Sequence, residues 1–208
     1  ILLLLPMALT AQKNYPKLLD DYVQAEFKVK DFNGTVLVMQ KGKAIYKKSF
    51  GLADREWNVA NTDDTKYRIG SVTKQFTAVA ILQLVEQGKI SLRDSVQKFI
   101  IDFPSKGHIV TIENLLTHTS GIKDFMTIDH PGQYVLRWDF TPQQIIEHFK
   151  NQPLEFKPGA KYNYTNSGYT LLGRIIEVAS GKSYYDYVLE SVIQKAGLKN
   201  TFFAKEDT

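Results

Sequence analysis

The sequence has no cysteine. That excludes disulfides, thiol catalysis, zinc–cysteine centres and a lipid anchor on a processed N-terminal cysteine. Histidine is scarce, confined to His108, His118, His130 and His148. No two of these have the spacing of a metal pair on one helix face, so no metal site is expected. Long apolar runs are missing too: Ile1–Leu5 falls far short of the ~20 residues that span a bilayer. No basic block carries interleaved aromatics, so the net charge of +4 reads as a soluble basic surface and not as a nucleic-acid footprint. There is no internal repeat and no low-complexity linker.

What is present describes a globular protein: 208 residues, 43% apolar and 12% aromatic. The start, an apolar run followed by Pro6-Met-Ala-Leu-Thr-Ala11-Gln12, reads as residues 1–12 of a secretory signal that has lost its basic leader. A short buried strand or a disordered tail is the alternative. Export to the periplasm or the exterior is the expectation.

Helical spacing of Leu18, Leu19, Tyr22, Val23 and Phe27 predicts a helix over 15–30. Two strands, 34–40 and 43–50, flank a Lys41-Gly42 hairpin turn. A loop over 58–66 leads to a long helix that opens near Ser71 and ends at Gly88. Beyond it the pattern is helical. There is a helix or turn at 91–99, and Thr111 and Thr141-Pro142 each open a helix. Two more helices span 167–180 and 184–195. Strands before Ser71 and helices after it predict an α/β fold: an antiparallel sheet layer with flanking helices over 13–72, and a mainly helical part over 73–208.

Ser-x-x-Lys occurs three times, as Ser71/Lys74, Ser95/Lys98 and Ser120/Lys123. Only Ser71/Lys74 stands where a loop enters a long helix, so that Lys74, one turn on, reaches the hydroxyl and the helix N-terminus favours negative charge. This sets a possible nucleophile beside its base. Ser95/Lys98 reads as surface, and Gly121 breaks the third pair. With a lysine pKa near 10.4, only about one molecule in a few thousand is neutral at pH 7, so a helper is expected. Tyr164 is the candidate, in Tyr164-Thr165-Asn166, and Asn166 offers a donor and an acceptor to a substrate amide. A packed aromatic and a capping asparagine are the bland readings of the same two residues.

Several segments together resemble the serine β-lactamase-like family of class C β-lactamases, D-alanyl-D-alanine carboxypeptidases and related esterases. They are Gly51-Leu-Ala-Asp-Arg-Glu56, Tyr67-Arg-Ile-Gly-Ser-Val-Thr-Lys-Gln-Phe-Thr-Ala78, Leu115-Leu-Thr-His-Thr-Ser-Gly-Ile122, and Pro158-Gly159 with Tyr164-Thr-Asn-Ser-Gly-Tyr169 and Leu171-Leu-Gly-Arg-Ile-Ile-Glu177. The resemblance runs from about Gly34 to the end of the chain. It implies the β-lactamase/transpeptidase fold and a serine hydrolase working by acyl transfer. Ser71 would be nucleophile and half of an oxyanion hole, Lys74 and Tyr164 would move the proton, and Asn166 would bind substrate. A β-lactam, a D-Ala-D-Ala peptide or an ester would be the acyl donor, with no cofactor. It also implies that His118 belongs to a structural turn, against the rival reading of a triad histidine.

The family's third motif, Lys-Thr-Gly or His-x-Gly on a strand after Tyr-x-Asn, does not follow Asn166, and His130-Pro-Gly132 stands in the wrong place for it. The expectation is an N-terminal portion of a longer enzyme, truncated before its C-terminal strands and a poor catalyst alone. The competing class is a non-catalytic module of the same fold that binds cell-wall peptides.

Overall fold

The computed structural model describes residues 14–30, 32–128 and 140–204. The leader reading of residues 1–12 and the His130-Pro-Gly132 motif lie outside the described residues. The chain divides into two compact units, Ile1–Arg68 and Ile69–Thr208.

In the first unit, helix α1 spans Tyr15–Lys30. Strands β1 (Gly34–Gln40) and β2 (Lys43–Phe50) pair antiparallel. The hairpin turns at Lys41 and Gly42, with φ of 47° and 75°. Two successive positive φ values match the right-handed twist of the strands, and glycine takes the second without a Cβ penalty. Val23 of α1 packs with Tyr46 and Phe50 of β2, and Leu19, Phe27, Phe32, Val36 and Val38 surround them. Asp20 accepts hydrogen bonds from Tyr46 Oη (3.0 Å) and Lys48 Nζ (2.8 Å), tying the helix to the hairpin. Burial first, and then Asp20, push the Tyr46 phenol up to about 12. The loop expected over 58–66 also holds a strand: β4 (Val59–Ala60) pairs antiparallel with β3 (Leu52–Asp54). Two residues are too few to show an alternating pattern, so the sequence gives no sign of it.

The second unit is helical. A 3₁₀ turn over Gly70–Val72 leads into α2 (Thr73–Glu86), whose Thr77, Ala80, Ile81 and Leu84 form one buried stripe. Its end is a Schellman motif: Lys89 N–H donates to Leu84 O (3.0 Å) and Gly88 N–H to Val85 O (2.9 Å). Helices α3 (Ile112–Leu116) and α4 (Pro142–Phe149) open on Thr111 and Thr141, each a capping box. Helix α5 (Asn166–Ser180) forms the middle of this unit and packs against α2, α3, α4 and α6 (Tyr184–Val188). Its Leu171, Leu172, Ile175 and Ile176 are fully buried, each contributing about 1.5–3 kcal/mol.

Two of the expected segments take a more specific form. The helix expected over 184–195 is α-helical only to Val188, and Leu189–Ile193 widens into a π turn, a single-turn deviation that propensity does not encode. Of the helix or turn expected over 91–99, the structure forms turns, with a 3₁₀ turn at Val96–Lys98. Ser95 there bridges to Thr111 while Lys98 is paired with Asp94 (2.8 Å). Among the described residues no helix is long and apolar enough to cross a membrane.

Candidate active site

Ser71 lies in the 3₁₀ turn and Lys74 in the first turn of α2, so the local winding alone aligns them: Lys74 Nζ donates to Ser71 Oγ at 3.3 Å. The other two members come from more than ninety residues away. Tyr164 Oη donates to Ser71 Oγ at 2.7 Å. Asn166 Oδ1 accepts from Lys74 Nζ at 2.8 Å. The ammonium also stands 4.7 Å from the centroid of the Tyr164 ring and 5.4 Å from that of Tyr169, over π faces that favour a cation. All four residues singled out from sequence therefore meet in one cluster. Ser71 and Tyr164 are exposed, and Lys74 and Asn166 half-buried, so the hydroxyl is open to a ligand while the amine is partly shielded.

The cluster is assembled by two chain segments zipped together through their backbones. Glu155 N–H donates to Gly121 O, Gly159 N–H to Thr119 O and Asn163 N–H to His118 O, each at 2.8 Å. This pairing carries the extended residues before α5 past the Leu115–Ile122 segment and delivers Tyr164 and Asn166 to the mouth of α2. Gly121 permits it: its φ is +74°, and a Cβ there would lie 2.1 Å from Phe156 O.

His118 sits inside this arrangement at φ +57°. It is buried, with its ring 4.5 Å from that of Tyr164 and 5.1 Å from that of Tyr169. Its Nδ1 accepts from Thr165 N–H at 3.2 Å, so that nitrogen carries no proton. Burial first, and then the Lys74 charge, hold the imidazole below the usual histidine range, against an opposing pull from Asp124. Histidine here backs the tyrosine; its rings pack and its nitrogen caps a backbone donor.

Tyr164 feels opposed influences. Burial works to raise its pKa, but the contacts with Lys74 and Ser71 and the Lys74 charge outweigh it, and the phenol lies below its ordinary value. Tyr169, by contrast, is raised by burial and then by Tyr164, and its hydroxyl donates to Leu116 O (3.1 Å).

Residues that sequence reasoning passes over complete the site. Asp124 Oδ2 accepts from Asn166 N–H (3.1 Å) and from Asn166 Nδ2 (2.9 Å). Ser167 Oγ donates to Lys123 O and accepts from Phe125 N–H, both at 2.8 Å. A sequence signal existed for half of this: aspartate before Phe125-Met126 is a capping residue, and Asp124 Oδ1 does accept from Met126 N–H (3.0 Å). Its second role spans 42 positions of chain and is invisible to spacing. The remaining Ser-x-x-Lys pairs do not form comparable sites. Ser120 Oγ, buried, accepts from Ile122 N–H (3.2 Å), and Lys98 serves an ion pair. Among the described residues no group of His, Asp and Glu has the arrangement to hold a metal ion.

The family model described as Beta-lactamase matches residues 19–208. The chain is 37% identical over 176 residues to Penicillin-binding protein 4* of Bacillus subtilis, covering 82% of this chain and 38% of that protein. Among solved structures, the D-amino acid amidase from Ochrobactrum anthropi SV3 aligns with a TM-score of 0.75 at 27% identity, over 94% of this chain and 52% of its own. EstCE1, a hydrolase with promiscuous acyltransferase activity, aligns with a TM-score of 0.80 at 25% identity, over 92% of this chain and 54% of its own. The chain thus spans well under half the length of that curated relative and about half of those solved chains.

Proposed function

Because this chain belongs to the Beta-lactamase family, we propose that it is part of a serine hydrolase that works by acyl transfer, with Ser71 as the nucleophile. One observation carries the reading: Ser71 Oγ stands 2.7 Å from Tyr164 Oη and 3.3 Å from Lys74 Nζ. An alcohol between a phenol of lowered pKa and an amine has a short route for its proton.

In the proposed reaction Ser71 Oγ attacks the carbonyl carbon of the acyl donor. Its proton passes to Tyr164 Oη in the form in which the phenol has given up its own proton, a form that the Lys74 charge favours. The new C–O bond displaces the carbonyl π pair onto oxygen. Collapse of that intermediate breaks the bond to the leaving nitrogen or oxygen, which takes the proton back from Tyr164. Water then attacks the acyl-serine in the reverse sense and regenerates the hydroxyl. Such positioned proton transfer is worth on the order of 10²–10⁴ in rate.

The acyl donor we infer is a β-lactam, a D-alanyl-D-alanine peptide or an ester. The relatives span a penicillin-binding protein, an amidase and an acyltransferase hydrolase, which supports an acyl group on nitrogen or oxygen without choosing between them. Residues 1–12 support export to the periplasm or the exterior.

The test is covalent labelling of the full-length protein by a fluorescent penicillin and by a fluorophosphonate ester. Labelling by at least one probe, lost in Ser71→Ala, is expected. Labelling that survives in Ser71→Ala removes Ser71 from the mechanism.

A further inference from the structure

Both ends of the Asn166 side-chain amide have partners within the protein. Its carbonyl oxygen accepts from Lys74 Nζ (2.8 Å). Its amide nitrogen donates to Asp124 Oδ2 (2.9 Å) and lies 3.3 Å from Met126 Sδ. Its backbone N–H donates to the same Asp124 oxygen (3.1 Å). One carboxylate oxygen therefore grips both donors of one residue. An amide turned by 180° would set its carbonyl oxygen against that carboxylate and present its NH₂ group to the Lys74 ammonium. Both contacts would be repulsive, so the charge of Asp124 selects a single orientation.

The grip has a second support. The Thr165 side chain makes no capping bond at the start of α5, although threonine at that position commonly caps. The Asp124 carboxylate supplies the acceptor instead, from a separate segment, at a helix end that favours negative charge. Ser167 then locks that segment down through Lys123 O and Phe125 N–H. The carboxylate is thus held by its own cap on Met126 N–H and by the lock on either side of it.

We propose that Asp124 is a positioning residue for the reaction inferred above: it fixes the amide orientation of Asn166, and through it the place of the Lys74 ammonium against Ser71. The chain of contacts runs Asp124–Asn166–Lys74–Ser71, with each link polarising the next. This inference rests on the reading of Ser71 as nucleophile, but the grip itself is a separate statement about Asn166.

The experiment is a double-mutant cycle in the full-length protein, reading the second-order rate constant for labelling of Ser71 by a fluorescent penicillin, or by a fluorophosphonate if that is the probe that reacts. Asp124→Ser keeps an oxygen for the Met126 cap but is too short to reach Asn166 as well. It is expected to slow labelling on the order of ten- to a hundredfold, and to change it less than about twofold once Asn166 is already alanine. A merely structural aspartate would slow labelling equally in both backgrounds, and that result overturns the proposal. If Asp124→Ser does not fold, Asp124→Asn, which keeps size and cap but brings a donor toward Asn166, replaces it in the same cycle. A wild-type protein that neither probe labels defeats the nucleophile reading instead. The grip is then read by NMR: slow exchange of the Asn166 side-chain amide protons, made fast by the Asp124 substitution, is expected, and exchange that the substitution leaves unchanged overturns it.

Discussion

Tyr164 is the residue on which the site's acid–base character turns. Its hydroxyl is 2.7 Å from Ser71 Oγ, and its pKa is lowered because contacts with Lys74 and Ser71 exceed the effect of burial. Tyr164→Phe removes the oxygen and keeps the ring that packs against His118. The expected result is a fall in kcat/KM on the order of 10²–10⁴, with thermal stability nearly unchanged. The acid limb of the pH–rate profile should also disappear or move, since an ionisable base has been taken away. A variant with wild-type kcat/KM and an unmoved profile would place the proton transfer elsewhere, with Lys74 as the first alternative. The sequence offers Ser71 and Lys74 readily, because a separation of three residues is a local fact of helical winding. It does not single out Asp124, because the grip on Asn166 depends on where a distant segment comes to rest.

Among the elements, the pairing of 118–121 with 155–163 does the assembling. Helices α2 and α5 are each legible from their apolar spacing, and the two threonine caps of α3 and α4 are legible from residue type. The paired segments have no such period; they are irregular backbone whose donors and acceptors satisfy one another across a gap of more than thirty residues. Gly121 is their tightest point. Gly121→Ala asks for a left-handed backbone at a residue with a Cβ and drives that Cβ into Phe156 O. The expected destabilisation is about 2–5 kcal/mol, measured by urea unfolding, and labelling of Ser71 should fall even in the fraction that stays folded. A stability within about 0.5 kcal/mol of wild type would mean that the segment relaxes freely and does not set the site. The β3–β4 pair and the π turn after α6 escape sequence reading for a related reason: each is too short for periodicity to register.

For the molecule as a whole, His118 and Tyr46 contribute to how stability varies with pH. His118 has a folded pKa below its unfolded one because of burial and then Lys74. The unfolded chain therefore binds more protons as pH falls below about 6.5. Stability from this group is complete above that pH and is lost as pH drops through the folded pKa. Tyr46 acts at the other end. Its folded pKa of about 12 exceeds its ordinary 10.0, so the unfolded chain loses its proton first. Stability is complete below pH 10 and lost as pH rises toward 12. Chemical unfolding followed across pH should show a plateau with these two shoulders. His118→Asn, which suits the positive φ and keeps an acceptor for Thr165, should flatten the acid shoulder below about pH 6.5. Tyr46→Phe should flatten the alkaline one. An acid shoulder of unchanged depth in His118→Asn would assign that dependence to other groups, with the carboxylates paired to lysine next in line.

Sequence by itself determined the parts that are local or periodic: the helix–hairpin start, the long helix behind Ser71, the serine–lysine pair, and a family pattern strong enough to name. Helical winding and apolar spacing act over a few residues, so they are written directly in the chain. Tertiary structure decided what stands against that pair. It brought Tyr164 to the hydroxyl, turned the Asn166 carbonyl toward the amine, set His118 behind the phenol and enlisted Asp124. Those contacts join segments tens of residues apart, and the pairing of 118–121 with 155–163 together with the packing of α5 among its neighbours brings them within hydrogen-bond reach.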